Sequence, residues 1–196
     1  MKGTTVSTGM IAMNGSACTP ADVLDFWFKE LTPAQWWRAS PEVDRMVASR
    51  FGDVLAAGER CELFGWRGTA EGRLAEIIVL DQFSRNVYRG QARAFANDPL
   101  ALGLAQSAVA LQLDRELALP QRAFFYMPYM HSESPLIHAV AVALFDQDGL
   151  ENNLAFERRH QAIVDRFGRY PHRNAVLGRV STPEEVEFLK TPGSSF

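Results

Sequence analysis

Several features that would assign this 196-residue chain to a specialised class are missing. It has two cysteines, Cys18 and Cys61, too few for a disulfide framework and too far apart for the paired spacing of a zinc site. Reduced thiols, and with them a cytoplasmic setting, are the expectation, and Cys61 reads as core filler. No apolar run is long enough to span a bilayer. The first twenty residues have only the short patch Met10 to Met13 as apolar content, too little for a signal-peptide core. Basic charge is lacking too. With a net charge of -3 and a pI near 5.8, the chain has no broad surface for neutralising phosphates, which argues against nucleic acid as a partner. Strand-like alternation bounded by hairpin turns is absent, as are a nucleophile elbow and a phosphate-binding loop. No cofactor is implied.

What is present is a dense helical pattern in a chain 47% hydrophobic, the right size for one domain. Residues 1–18, rich in Gly, Ser and Thr, read as a flexible leader, residues 19–190 as a single all-α domain, and residues 191–196 as a short tail. Helix starts are marked by a small capping residue followed by proline: Thr19-Pro20, Thr32-Pro33, Ser40-Pro41, Asp98-Pro99, Ser134-Pro135 and Thr182-Pro183. The capping side chain accepts from first-turn amides, and proline at the first position removes no donor the helix needs. Helix stops are expected at Pro128, Gly149 and Gly168. Inward stripes are expected to include Val43, Met46, Val47, Phe51, Val54 and Leu55, then Leu100, Leu104, Ala108 and Leu111, and then Ile137, Val140, Ala141, Leu144 and Phe145.

Polar residues break this pattern at a few places. In LAEIIVLDQFSRNVYRG, Leu74 to Gly90, Leu74, Ile77, Ile78 and Asp81 share one helix face, so Asp81 is expected to be buried. A buried carboxylate needs a partner, and Arg85, one turn later, is the nearest. His160 shares a face with Phe156, Ile163 and Phe167, and so also points inward. If Asp81 and His160 meet, the carboxylate would orient the imidazole and raise its basicity; alternatively each is a satisfied core residue. His131 and Glu133 stand in a helix-to-helix connection, where they can serve a site or merely cap the next helix. His138 reads as structural. Two Arg-Asn pairs, Arg85-Asn86 and Arg173-Asn174, together with Arg89 and Arg179, can hold helix ends or clamp an anion.

The segments LDQFSRNVYRG, FANDPLAL, MPYMHSES and RFGRYPHRNAVLGRVSTPEE, with FWF at Phe26 to Phe28, resemble a bacterial family known only as domain of unknown function 924, which has a tetratricopeptide-like helical fold. The resemblance implies stacked antiparallel helices, although no 34-residue tetratricopeptide consensus is visible. It implies no reaction. Asp81, Arg85, Asn86, His131, Glu133, His160, Arg173, Asn174 and Arg179 occupy motif positions. The leading expectation is a polar pocket for a small anionic molecule or an acidic peptide end, with Arg85, Asn86, Arg173, Asn174 and Arg179 binding it. Alternatives are a hydrolase using His131 or His160 as general base, and a protein interaction module. A zinc or manganese site from Asp81, His131, Glu133 and His160 is a weaker variant, since no two of these stand at a helical metal-binding spacing; no metal is expected.

Overall fold

The computed structural model describes residues 18–195 and, for their backbone alone, residues 12–13 and 16–17. The expected leader therefore lies almost wholly outside the described residues. A two-residue antiparallel pairing joins Ala12–Met13 to Ser16–Ala17. Every other regular element among the described residues is helical, including α1 (Pro20–Asp25), α2 (Pro33–Trp36), α3 (Pro41–Glu59), α4 (Ala70–Ile78), α5 (Ser84–Val87), α6 (Asp98–Ala110), α7 (Leu119–Met130), α8 (Pro135–Phe145), α9 (Glu151–Phe167) and α10 (Pro183–Phe188). Wider π turns extend α1 through Phe26–Glu30 and join α4 to α5 through Val79–Phe83.

Capping chemistry explains most starts. Thr19 with Asp22, Thr32 with Gln35 and Thr182 with Glu185 form reciprocal capping boxes, and Ser40 accepts from the amide of Val43. Two expected caps are not used this way. Ser134 makes no capping bond, and Asp98 lies inside α6 with its carboxylate turned to two arginines. Pro128 also fails to stop α7, which continues to Met130. Proline removes one backbone donor there, but Ala123 to Met130 are all buried, and that packing holds the helix on course.

The core is built where α4 and its π turn meet α1 and α3, with α6 and α7 packed on the other side. Phe26, Phe51 and Phe83 form an aromatic triangle with centroids 4.9–6.1 Å apart. A smaller cluster, Ile163, Val164 and Tyr170 with Phe167 and Phe188, joins α9 to the C-terminal segment. Helix phase departs from the expected stripes in three places. Leu111 is exposed because Ala101, Leu104, Ala105 and Ala108 already fill the inner face of α6; Val140 lies outside because His138, Ala141 and Phe145 form the buried face of α8. In α9 the inward residue is Glu157, not Phe156, which is 50% exposed. Cys61 is exposed as well, in a left-handed turn after α3, so it fills no core. Among the described residues no helix is long and apolar enough to cross a membrane.

Candidate functional site

The π turn Val79–Phe83 shifts the helix by one residue and presents Asp81 to the inside of the fold. Asp81 is 1% exposed and fully engaged. Its Oδ1 forms an ion pair with Arg85 Nη1 at 2.9 Å and faces His131 Nδ1 at 2.7 Å, while Oδ2 accepts from Gln82 Nε2 at 2.6 Å; Arg85 Nη1 also donates to the Asp81 carbonyl at 2.8 Å. Burial alone would push this carboxyl upward; the Arg85 charge and the hydrogen bonds from His131 and Gln82 outweigh it and hold the group well below the usual carboxylate range. Asp81 is thus an anion that can only accept, so His131 Nδ1 carries the proton and donates. The other ring nitrogen, Nε2, is left with its lone pair. Burial and the nearby Arg85 charge depress the His131 pKa, so the imidazole is neutral at pH 7.

Arg85 also forks onto Asp98, with bonds of 2.9 and 3.0 Å. Asp98 in turn touches Arg173 at 3.3 Å. Arg173 is 6% exposed and sits between two rings, with its guanidinium carbon 4.5 Å from the centroids of both Phe95 and Tyr170. Its Nε is buried with no hydrogen-bond acceptor, and the long contact to Asp98 is the one hydrogen bond of its side chain among the described residues. Burial and Arg85 both lower its pKa.

A cleft of about 330 Å³ opens over these groups, lined by Phe95, Asp98, Leu102, His131, Glu133 and Arg173 among others. Its size lies at the small end of the range for small-molecule sites. Glu133 forks with Arg179 at 2.6 and 2.9 Å and accepts from the amide of Tyr170 at 2.7 Å. It fastens the C-terminal segment to the loop after α7 and caps nothing. Behind that loop, His138 Nε2 reaches the carbonyl of Ser132 at 2.8 Å, and His138 Nδ1 lies 2.6 Å from Glu157 Oε1. Tyr170 donates its hydroxyl proton to the carbonyl of Met130.

Asp81, Arg85, His131, Glu133 and Arg173 are therefore brought to one region. Others are placed elsewhere. His160, read as a partner for Asp81, engages the carbonyl of Phe156 at 2.8 Å and packs edge-on against Tyr170, so the imidazole that meets Asp81 is that of His131. Asn86 and Arg89 bind Asp44 of α3. Asn174 donates to Ser181 and Glu185 and accepts from Arg179. The sequence reading missed Asp98, Phe95, Tyr170 and Glu157. No group of three or more His, Cys, Asp or Glu among the described residues is arranged to hold a metal ion.

The chain matches the family model DUF924, described as a bacterial protein of unknown function, over residues 23–193. It is also similar to the solved structure of a protein of unknown function, ATU0120, from Agrobacterium tumefaciens. That likeness has 40% sequence identity and a TM-score of 0.83, and covers 87% of this chain and 96% of the other. No curated protein matches.

Proposed function

The chain belongs to DUF924, a bacterial family of unknown function, and we propose that the cleft binds a small anionic molecule through Arg173. The observation that carries this reading is the guanidinium itself. A planar cation held between two rings, with one long bond and a buried donor lacking an acceptor, is pre-organised for a carboxylate or phosphate and under-supplied with acceptors. Arg85 and Arg179 are already forked onto Asp98 and Glu133, so they act as a frame for Arg173. Asn86 and Asn174 support that frame. Consecutive helices α6 to α9 pack each on the next; we take them as tetratricopeptide-like hairpins within one cytoplasmic domain over residues 19–190.

Calorimetric titration of the full chain with inorganic phosphate and 3-phenylpropanoate tests the reading. At least one is expected to bind, and Arg173→Gln, checked for folding by circular dichroism, is expected to lose it. Binding that survives the substitution would sink the proposal.

A second reading rests on the Asp81–His131 pair. A neutral imidazole oriented by a carboxylate, with Nε2 left over at a cleft, is the arrangement of a general base. In hydrolysis Nε2 would take a proton from water as the water oxygen bonds to an acyl carbon, and return it to the leaving group as that bond breaks. His131→Gln would then abolish turnover in a panel of small esters and amides; a panel with no turnover by the unsubstituted protein would contradict this.

A further inference from the structure

We infer that the occupant of the cleft is a zwitterion, an α-amino acid with an apolar side chain, whose carboxylate meets Arg173 and whose ammonium meets His131 Nε2 and the acids beside it. This rests on the anion-binding reading and narrows it by three observations.

The first is charge. Asp81, Asp98 and Glu133 are matched one for one by Arg85, Arg173 and Arg179, all joined in ion pairs, and His131 is neutral. A bare anion would leave this region with net negative charge in a mostly apolar setting, where unpaired charge is costly. A zwitterion leaves the balance intact.

The second is the inventory of unmet hydrogen bonds at the cleft. Arg173 Nε lacks an acceptor. His131, with Nδ1 donating to Asp81, offers a lone pair at Nε2 that no protein group among the described residues uses, and so calls for a donor. Both side chains line one cleft. The complement is a molecule with an acceptor group and a donor group.

The third is the wall. Phe95, Leu102, Pro99 and Leu177 offer an apolar surface for a side chain, and the volume of about 330 Å³ suits a free amino acid better than an extended peptide.

The test is a calorimetric series on the full chain at pH 7 with L-phenylalanine, 3-phenylpropanoate, which lacks the ammonium, and phenethylamine, which lacks the carboxylate. L-phenylalanine is expected to bind at least about tenfold more tightly than either analogue, the size of one charge-assisted hydrogen bond. In His131→Gln the amide can still donate to Asp81 but has no second ring nitrogen, so the advantage over 3-phenylpropanoate is expected to shrink below about threefold. Equal binding of L-phenylalanine and 3-phenylpropanoate, both lost in Arg173→Gln, overturns the zwitterion and leaves the anion reading standing. L-phenylalanine binding that persists unchanged in Arg173→Gln overturns both readings. So does the absence of binding by all three probes and by inorganic phosphate. Because the three-ligand comparison is made on the unsubstituted protein, a variant that fails to fold does not remove the decision.

Discussion

Glu157 Oε1 lies 2.6 Å from His138 Nδ1, and neither residue has any exposed surface. His138 Nε2 faces two oxygens, the carbonyl of Ser132 and the hydroxyl of Tyr170, whose own proton goes to Met130. Nε2 must therefore carry a proton. Glu157 Oε2 has no partner, and burial pushes the Glu157 carboxyl up. The pair is a fully buried hydrogen bond between the imidazole and a carboxyl whose pKa burial raises, and it anchors the loop that carries His131 and Glu133.

That assignment separates two substitutions. Glu157→Ala removes the partner of His138 Nδ1 and opens a cavity, and is expected to cost about 3 kcal/mol in urea unfolding. Glu157→Gln keeps a donor of the same shape and is expected to cost less than about 1 kcal/mol. Equal losses would contradict this.

Asp81 governs the tautomer of His131. Asp81→Asn removes the anion that requires a proton on Nδ1 and leaves Asp98 as the carboxylate partner of Arg85. Nitrogen NMR of His131 is expected to show Nδ1–H in the parent and a mixed or Nε2–H ring in the variant. Stability should fall by about 3 kcal/mol, the usual cost of breaking a buried pair from one side. An unchanged ring spectrum would contradict the assignment.

Acid should weaken the fold through its histidines. Burial lowers the pKa of His160 to about 3 and of His172 to about 4, and His131 is lowered as well. The unfolded chain takes up these protons near pH 6.5 and the folded chain does not, so stability falls as pH drops from about 6.5 toward 4, by up to about 1.4 kcal/mol per pH unit for each group. Asp81, with its pKa lowered, acts in the same direction below the ordinary carboxylate range. Glu157, with its pKa raised, opposes it. Urea midpoints between pH 7.5 and 4 check the sum; a midpoint that rises on acidification would contradict it.

Asp98 competes with any anion for Arg173. Asp98→Asn weakens that hold and is expected to tighten 3-phenylpropanoate binding by about tenfold, equivalent to about 1.4 kcal/mol, while lowering stability because Arg85 loses its fork. Unchanged or weaker binding would show that Asp98 is not the competitor.

The burial of Asp81 and its bond to Arg85 were legible because both follow from spacing within one helix. The His131 partnership was not, since fifty residues separate it from Asp81 and only the packing of α7 against α4 joins them. Asp98 was hidden by its own plausibility as a cap ahead of Pro99. Glu157 was missed because Phe156, beside it, is the more apolar candidate for the inner face of α9; a buried acid defeats any reading by hydrophobic phase. Pro128 misled for a related reason, as tertiary burial of α7 overrides a local breaking signal.

The most direct measurement is on Arg173 itself. Its side-chain Nε–H resonance, identified by its disappearance in Arg173→Gln, can be followed by proton–nitrogen NMR while L-phenylalanine and 3-phenylpropanoate are titrated in. A shift that saturates with the calorimetric affinity is expected, as a carboxylate arrives at the guanidinium. Calorimetric binding with no movement of that resonance would place the ligand elsewhere and contradict the central claim.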